Sequence, residues 1–112
     1  MDTDIPSHFN PASLPHDLAP LTNLSMQWSK INQAAVRITV FAEAPHAGYG
    51  ITVSGILFIG EQAVIYVRAL RPLPGNMFPQ VIAKVHATTY IDAKYKPVFP
   101  AEYESYMKKY HN

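Results

Sequence analysis

Ile51-Thr52-Val53-Ser54-Gly55-Ile56-Leu57-Phe58-Ile59 is an apolar run rich in β-branched side chains, and a short polar stretch, Gly60-Glu61-Gln62, follows it directly. Residues 63–70 are again mostly apolar, so the two runs predict an antiparallel hairpin joined by a tight turn. Gly55 lies inside the first run, where a glycine indicates a bulge or bend that exchanges the faces of the two halves. The hairpin is the centre of a predicted β core over residues 35–92.

Two segments with a period of two flank the hairpin. Val36, Ile38 and Val40 alternate with their neighbours, as expected of a strand with one face on the core. Residues 80–91 alternate in the same way, and the length of this run favours a bulge or a crossover between sheets. These patterns predict a mainly β fold: a small antiparallel β-sandwich or partly open barrel of about five to seven strands, with a helix before it and a helix after it.

The two predicted helices lie on either side of the β core. In the first, residues 21–32, apolar side chains recur at intervals of three and four; they are Leu21, Leu24, Trp28 and Ile31. In the second, residues 100–111, a proline comes first, acidic residues follow and lysines come last, the order that the helix dipole favours. Its apolar stripe consists of Tyr103, Tyr106, Met107 and Tyr110.

The first 20 residues form a separate kind of segment within a single predicted domain, 1–112. They contain Pro6, Pro11, Pro15 and Pro20, and so frequent a proline excludes a regular helix or a central strand. We predict an extended or irregular arm that packs along the body through its apolar residues, which are Ile5, Phe9, Leu14 and Leu18.

Composition limits the classes of function. The chain has no cysteine, which excludes a disulfide framework, a thiolate metal site and a cysteine nucleophile. Nine basic against eight acidic side chains give a net charge of +1, so no nucleic-acid or membrane partner is expected. No apolar run approaches the roughly 20 residues of a membrane span, and the acidic start does not resemble a signal peptide. These features predict a cytoplasmic protein.

The sequence does not indicate catalysis. The histidines are too far apart to present two metal ligands from one element, and Ser54-Gly55 lacks the pattern of a nucleophile elbow. Glu43 and His46 could form an acid–base pair, but a solvated loop edge explains them better. We therefore expect a protein that is not an enzyme and that needs no metal or other cofactor.

Two loops stiffened by prolines are the strongest candidates for a binding site. The first is Ala44-Pro45-His46-Ala47-Gly48-Tyr49-Gly50, and the second, residues 71–79, opens with Arg71-Pro72-Leu73-Pro74-Gly75. Prolines lower the entropy that a loop loses on binding. We predict that both loops lie at one end of the sheet, with Tyr49 and Leu73 as apolar contacts and Arg71 as a charged contact.

The first loop and the strands around it resemble the C-terminal domain of the PrcB family of bacterial protease-complex subunits. The resemblance rests on residues 40–53, on Val64-Ile65-Tyr66-Val67, on the second loop and on Gln80-Val81-Ile82. It covers roughly residues 36–92. It implies a bacterial or phage protein that binds and regulates a protein partner, such as a protease.

Both loops also resemble those of chagasin-type inhibitors of cysteine proteases, which have an immunoglobulin-like fold. Pro45, His46, Ala47, Gly48 and Tyr49 match the spacing of the loop that enters the protease cleft in that family. Arg71 and Pro72 match a second contact loop, although Leu73 stands where that family has an aromatic residue. The glycine-rich middle loop of the family is missing, since Gly60-Glu61-Gln62 is only a short turn.

The sequence therefore favours a non-enzymatic protein-binding module that recognises its partner through two rigid loops. The predicted site consists of Pro45, His46, Gly48, Tyr49, Arg71, Pro72, Leu73, Pro74 and Gly75. A second hypothesis is a small-molecule or nucleotide-binding protein whose pocket is lined by Arg68, Arg71, Lys84 and His86. The tyrosine-rich end of the chain further predicts self-association as a homodimer.

Overall fold

The computed structural model describes residues 18–107. Six strands and a 3-10 helix follow one another along the chain. They are β1 (Thr22–Lys30), β2 (Ala35–Ala44), β3 (Gly50–Ile59), β4 (Gln62–Leu70), β5 (Ala83–Asp92), β6 (Lys96–Val98) and the 3-10 helix Ala101–Tyr106. The prediction of a mainly β fold is therefore confirmed.

The strands form two three-stranded sheets. The first sheet has the order β1-β2-β5 with antiparallel pairs throughout, and the second has the order β3-β4-β6, in which β6 runs parallel to β4. Ile38 and Val40 of the first sheet belong to the same buried cluster as Ile65 and Val67 of the second. The two sheets therefore share one core, and over residues 18–107 they do not close into a single hydrogen-bonded barrel.

The β3–β4 hairpin is confirmed as predicted. Its register shifts between Val53 and Gly55, so a bulge lies where the internal glycine indicated one. Gly60 and Glu61 connect the paired residues Ile59 and Gln62. Gly60 has φ +58°, and a type II′ hairpin turn requires this positive φ at its first central position.

The predicted helix over residues 21–32 is wrong, because this segment forms β1. Met26 and Trp28 are paired with Val40 and Ile38, so they face the core side of the first sheet. A separation of four residues, as between Leu24 and Trp28, places side chains on one face of a strand as well as of a helix. Pairing with β2 satisfies the backbone of the segment and makes it a strand.

The predicted helix over residues 100–111 is also wrong. A 3-10 helix ends at Tyr106, and Met107 has extended backbone and forms an isolated parallel bridge with Leu24; residues 108–111 lie outside the described part of the chain. The Tyr103 hydroxyl accepts a hydrogen bond from the Val67 N–H and donates one to the Val67 carbonyl, each at 3.1 Å. β6 pairs only with residues 62–64 of β4, and the Tyr103 hydroxyl bonds β4 further along, at Val67. These bonds favour the short 3-10 helix over a regular helix.

Two further predictions concern the last long strand and the N-terminal arm. The last long strand, predicted over residues 80–91, begins at Ala83 and ends at Asp92. Pro97 pairs with Ala63 within β6, a sheet-edge strand where proline is tolerated. Most of the predicted arm 1–20 lies outside the described residues, although Leu18 is fully buried in the core.

Within residues 18–107, no helix has both the length and the apolar character that a membrane span requires.

Candidate functional site

The two predicted loops meet at one end of the molecule. The first loop, residues 45–49, connects β2 to β3, and the second loop, residues 71–82, connects β4 to β5. Phe78 of the second loop stacks on His46 of the first, with ring centroids 5.1 Å apart and an interplanar angle of 9°. We call the surface formed by residues 45–49 and 70–82 the loop end.

Gly48 allows this contact because it has no side chain. A Cβ atom at this position would lie 2.6 and 2.7 Å from two carbon atoms of the Phe78 ring and 2.9 Å from Cε1 of His46. Such distances are well below ordinary van der Waals contact. The glycine of the first loop is thus the position that lets the second loop pack against it.

His46 is fixed by interactions on several sides. Its Nδ1 accepts a hydrogen bond from the Gly48 N–H at 3.0 Å, and its ring centroid lies 4.8 Å from that of Tyr49. Tyr49 is half-buried and packs against the core. His46 and Tyr49 therefore support the loop, and Tyr49 does not project from its tip as the sequence suggested.

The second loop exposes a run of apolar side chains. Met77 is 94% exposed and Leu73 is 73% exposed, and three further exposed apolar residues belong to the same segment: Leu70, Val81 and Ile82. Exposed apolar patches mark interaction sites in proteins, and these five side chains all belong to residues 70–82. The predicted contact residue Leu73 is thus in a position to touch a partner.

Arg71 has a partner within the chain. Its Nη2 atom donates a hydrogen bond to the carbonyl of Ala19 at 2.9 Å, which ties the second loop to the segment before β1. Pro45 and Pro74 are exposed, Pro72 is half-buried, and Gly75 has φ +89°, a conformation that favours glycine. Arg71 supports the loop here, whereas the sequence predicted a role in recognition.

The residues of the alternative ligand pocket lie on different elements of the fold. Arg68 belongs to β4 of the second sheet, whereas Lys84 and His86 belong to β5 of the first. Lys84 lines a shallow groove of about 440 Å³ on the first sheet, whose other lining residues are Asn23, Ser25, Gln27, Phe41, Ala42 and Glu43. Arg68, Arg71 and His86 are not among them, so the pocket hypothesis stays a prediction without support from the geometry.

The side chains considered for catalysis are engaged in structural contacts. Glu43 accepts a hydrogen bond from the Asn23 side chain at 2.9 Å, and His46 accepts one from Gly48 as described above. Among residues 18–107, no three histidine, aspartate or glutamate side chains lie close enough together to hold a metal ion.

Sequence reasoning missed Met77 and Phe78, which are central to the loop end. Both stand in a loop with three prolines, where apolar side chains have no strand or helix to support them. A methionine and a phenylalanine in such a loop are themselves a signal, because both types are enriched at protein interfaces.

A scan against protein-family models and searches of curated proteins and of solved structures found no match for this chain.

Proposed function

We propose that this protein is a non-enzymatic protein-binding module that recognises its partner through the loop end. One observation carries the proposal: the second loop exposes four apolar side chains and Leu70 at the end of β4 adds a fifth, while Phe78 anchors the same loop against the first. An anchored loop loses little conformational entropy when it binds, so its apolar contacts contribute more fully to affinity.

Met77 and Leu73 are the contact residues in this proposal. Both are among the most exposed apolar side chains of the described chain, and methionine adapts its shape to a partner surface. Pro45, Pro72 and Pro74 restrict the backbone on either side. Exposed apolar side chains on an anchored loop suit a groove or cleft on another protein.

The resemblance to PrcB-type domains supports a protease or a protease-complex subunit as the partner, in the cytoplasm of a bacterium or of a phage-infected cell. Inhibition or regulation of that protease is the activity that this resemblance implies. Tyr49 and Arg71 keep the supporting roles that their contacts give them.

Site-specific photocrosslinking tests the proposal directly. A photoreactive amino acid replaces Met77 in one variant and Tyr90, an exposed residue on β5, in the control variant. We expect a protein captured from Met77 but not from Tyr90, and its purified form should bind the wild type at least tenfold more tightly than the double variant Leu73→Ser/Met77→Ser, as expected for hot-spot contacts. Equal capture at both positions, or equal affinity of both proteins, would exclude the loop end as the site.

The same variants address the predicted homodimer. Sedimentation velocity of the wild type over a range of concentrations measures self-association. A dimer that dissociates in Leu73→Ser/Met77→Ser would make the partner a second copy of the chain, and captured protein would then be the chain itself.

A further inference from the structure

A second apolar surface lies at the opposite end of the strands, where the three remaining turns meet. The β1–β2, β3–β4 and β5–β6 connections are held to one another by backbone hydrogen bonds, from Ala93 N–H to the Ala34 carbonyl at 2.9 Å and from Lys96 N–H to the Glu61 carbonyl at 2.8 Å. We call this surface the groove end. The two hydrogen bonds join the backbones of the three connections around this surface.

A groove of about 410 Å³ opens there between the two sheets. Its lining residues are Trp28, Lys30, Val36, Glu61, Gln62, Ala93, Lys94, Tyr95 and Lys96. The volume falls within the range of natural ligand sites, about 300–1,000 Å³. Residues from both sheets therefore contribute to one concave site that is separate from the loop end.

Trp28 is the most unusual residue of the groove. It pairs with the buried Ile38 and so faces the core side of the first sheet, yet 51% of its surface is exposed. The cause is the short β6, whose three residues cannot extend the second sheet across this side chain. A large aromatic ring on a core-type face, left open to solvent, marks an interaction surface.

The aromatic surface extends beyond Trp28. The Phe58 ring lies 4.5 Å from that of Tyr95, and Phe58 is 49% exposed. Two exposed aliphatic residues adjoin the groove along the chain, Ile31 after Lys30 and Ile59 before the β3–β4 turn. The apolar surface is thus larger than the groove itself.

The charge of the groove identifies the kind of ligand. Lys30, Lys94 and Lys96 line it against a single carboxylate, Glu61, and the Lys94 ammonium lies 5.2 Å from the centroid of the Tyr95 ring. The nearby Asp92 carboxylate accepts a hydrogen bond from the Lys94 N–H of its own turn. The lining therefore carries a net positive charge, which complements an acidic ligand.

We infer that the groove end binds an acidic peptide segment of a protein partner, with acidic side chains against the three lysines and apolar side chains against Trp28 and Phe58. A single-stranded nucleic acid fits less well, because the exposed aliphatic side chains of Ile31 and Ile59 give bases no aromatic surface for stacking. This site is independent of the proposed function of the loop end.

The chain contains one tryptophan, so Trp28 reports its own site by fluorescence. The probes are a capped peptide of alternating glutamate and leucine, a matched lysine and leucine peptide, and an oligothymidylate. We expect a blue shift of the Trp28 emission with the acidic peptide only, weakened when sodium chloride rises from about 0.05 to about 0.5 M. A shift of equal size with the basic peptide, a shift with the oligothymidylate alone, or a free chain that already emits like a buried tryptophan would overturn the inference.

Charge variants locate the contact. Each of Lys30→Gln, Lys94→Gln and Lys96→Gln should raise Kd about two- to fivefold, the effect of losing one exposed ion pair. Lys84→Gln, on the first sheet outside the groove, is the matched control and should leave Kd unchanged. The loop variant Leu73→Ser/Met77→Ser should also bind the peptide normally. Equal losses in Lys84→Gln and the three groove variants would show general charge attraction and contradict the site.

Discussion

The two ends of the molecule expose apolar side chains for different structural reasons. At the loop end, Met77 and Leu73 stand on a long loop that two packed rings hold in place. At the groove end, Trp28 and Phe58 stand on regular strands and are about half exposed, and the short β6 of the opposite sheet leaves Trp28 uncovered. The first surface is formed mainly by two connecting loops, whereas the second is a groove lined by lysines.

The two ends differ in how closely their residues are connected to the core. The exposed contact residues of the loop end, Leu73 and Met77, lie on the second loop, so changes at these two positions should leave the rest of the fold intact. The groove end is built from strand residues that continue into the core, so changes there should also affect folding. Substitutions that separate these effects test the distinction.

Tyr103→Phe should have the largest effect and should not discriminate between the ends. It removes the hydroxyl that bonds both the N–H and the carbonyl of Val67, and each buried group left without a partner costs about 1–3 kcal/mol. We expect the free energy of unfolding to fall by about 2–4 kcal/mol in urea denaturation. Tyr90→Phe, on the exposed face of β5, is the control and should change little. Equal stability of Tyr103→Phe and the wild type would contradict the assigned hydrogen bonds.

Gly48→Ala should affect the loop end alone. The added methyl group would collide with the Phe78 ring and with His46, and overpacking of this kind costs about 1–3 kcal/mol. Gly50→Ala is a matched control, because its Cβ would lie at an ordinary 3.5 Å from Leu70. Hydrogen exchange should increase in residues 71–82 of Gly48→Ala while the Trp28 emission stays constant. A change in that emission would mean that the two ends are coupled.

Phe58→Ala, at the groove end, should lower the free energy of unfolding by less than Gly48→Ala does. Its contact with Tyr95 is an aromatic pair, worth about 0.5–1.5 kcal/mol beyond the burial of its area. A double-mutant cycle with Tyr95→Ala isolates this term from the area that each ring buries separately. A coupling energy near zero would show that the two rings do not stabilise each other.

Met77→Ser should leave the free energy of unfolding within about 0.5 kcal/mol of the wild type, since the side chain is almost fully exposed. Phe78→Ser, one position along the same loop, removes the ring that stacks on His46 and should be clearly more destabilising. Urea denaturation of both variants checks the difference. Similar losses in both would mean that Met77 also supports the fold.

The parts of this fold that the sequence predicts are those determined by neighbouring residues. The β3–β4 hairpin follows from two apolar runs and the turn between them, and the bulge follows from Gly55. The sequence predicts a helix in place of β1, because a spacing of four residues between apolar side chains is common to helices and strands. The identity of β1 depends on pairing with β2, and local spacing does not report that partner.

The sites follow the same division. The two loops were found from their prolines and glycines, but the contact between Gly48 and Phe78 joins residues far apart in the chain. The groove end gave no sequence signal, because its lining comes from both sheets and from the turn between β5 and β6. Its exposure also depends on the three-residue β6, which sequence patterns missed.

Tyr66 lies on β4 between the two ends. Ionisation of its phenol should have the smallest effect on the free energy of unfolding, and this effect is absent at neutral pH. Burial raises the pKa of its phenol above the ordinary value, and the nearby Glu102 carboxylate adds to the shift. The unfolded chain therefore loses this proton at a lower pH than the folded chain. Stability is complete below about pH 10, the ordinary tyrosine pKa, and falls as the pH rises towards the folded value. Urea denaturation from neutral to alkaline pH should show a shallower decline in Tyr66→Phe than in the wild type, and parallel declines would contradict the shift.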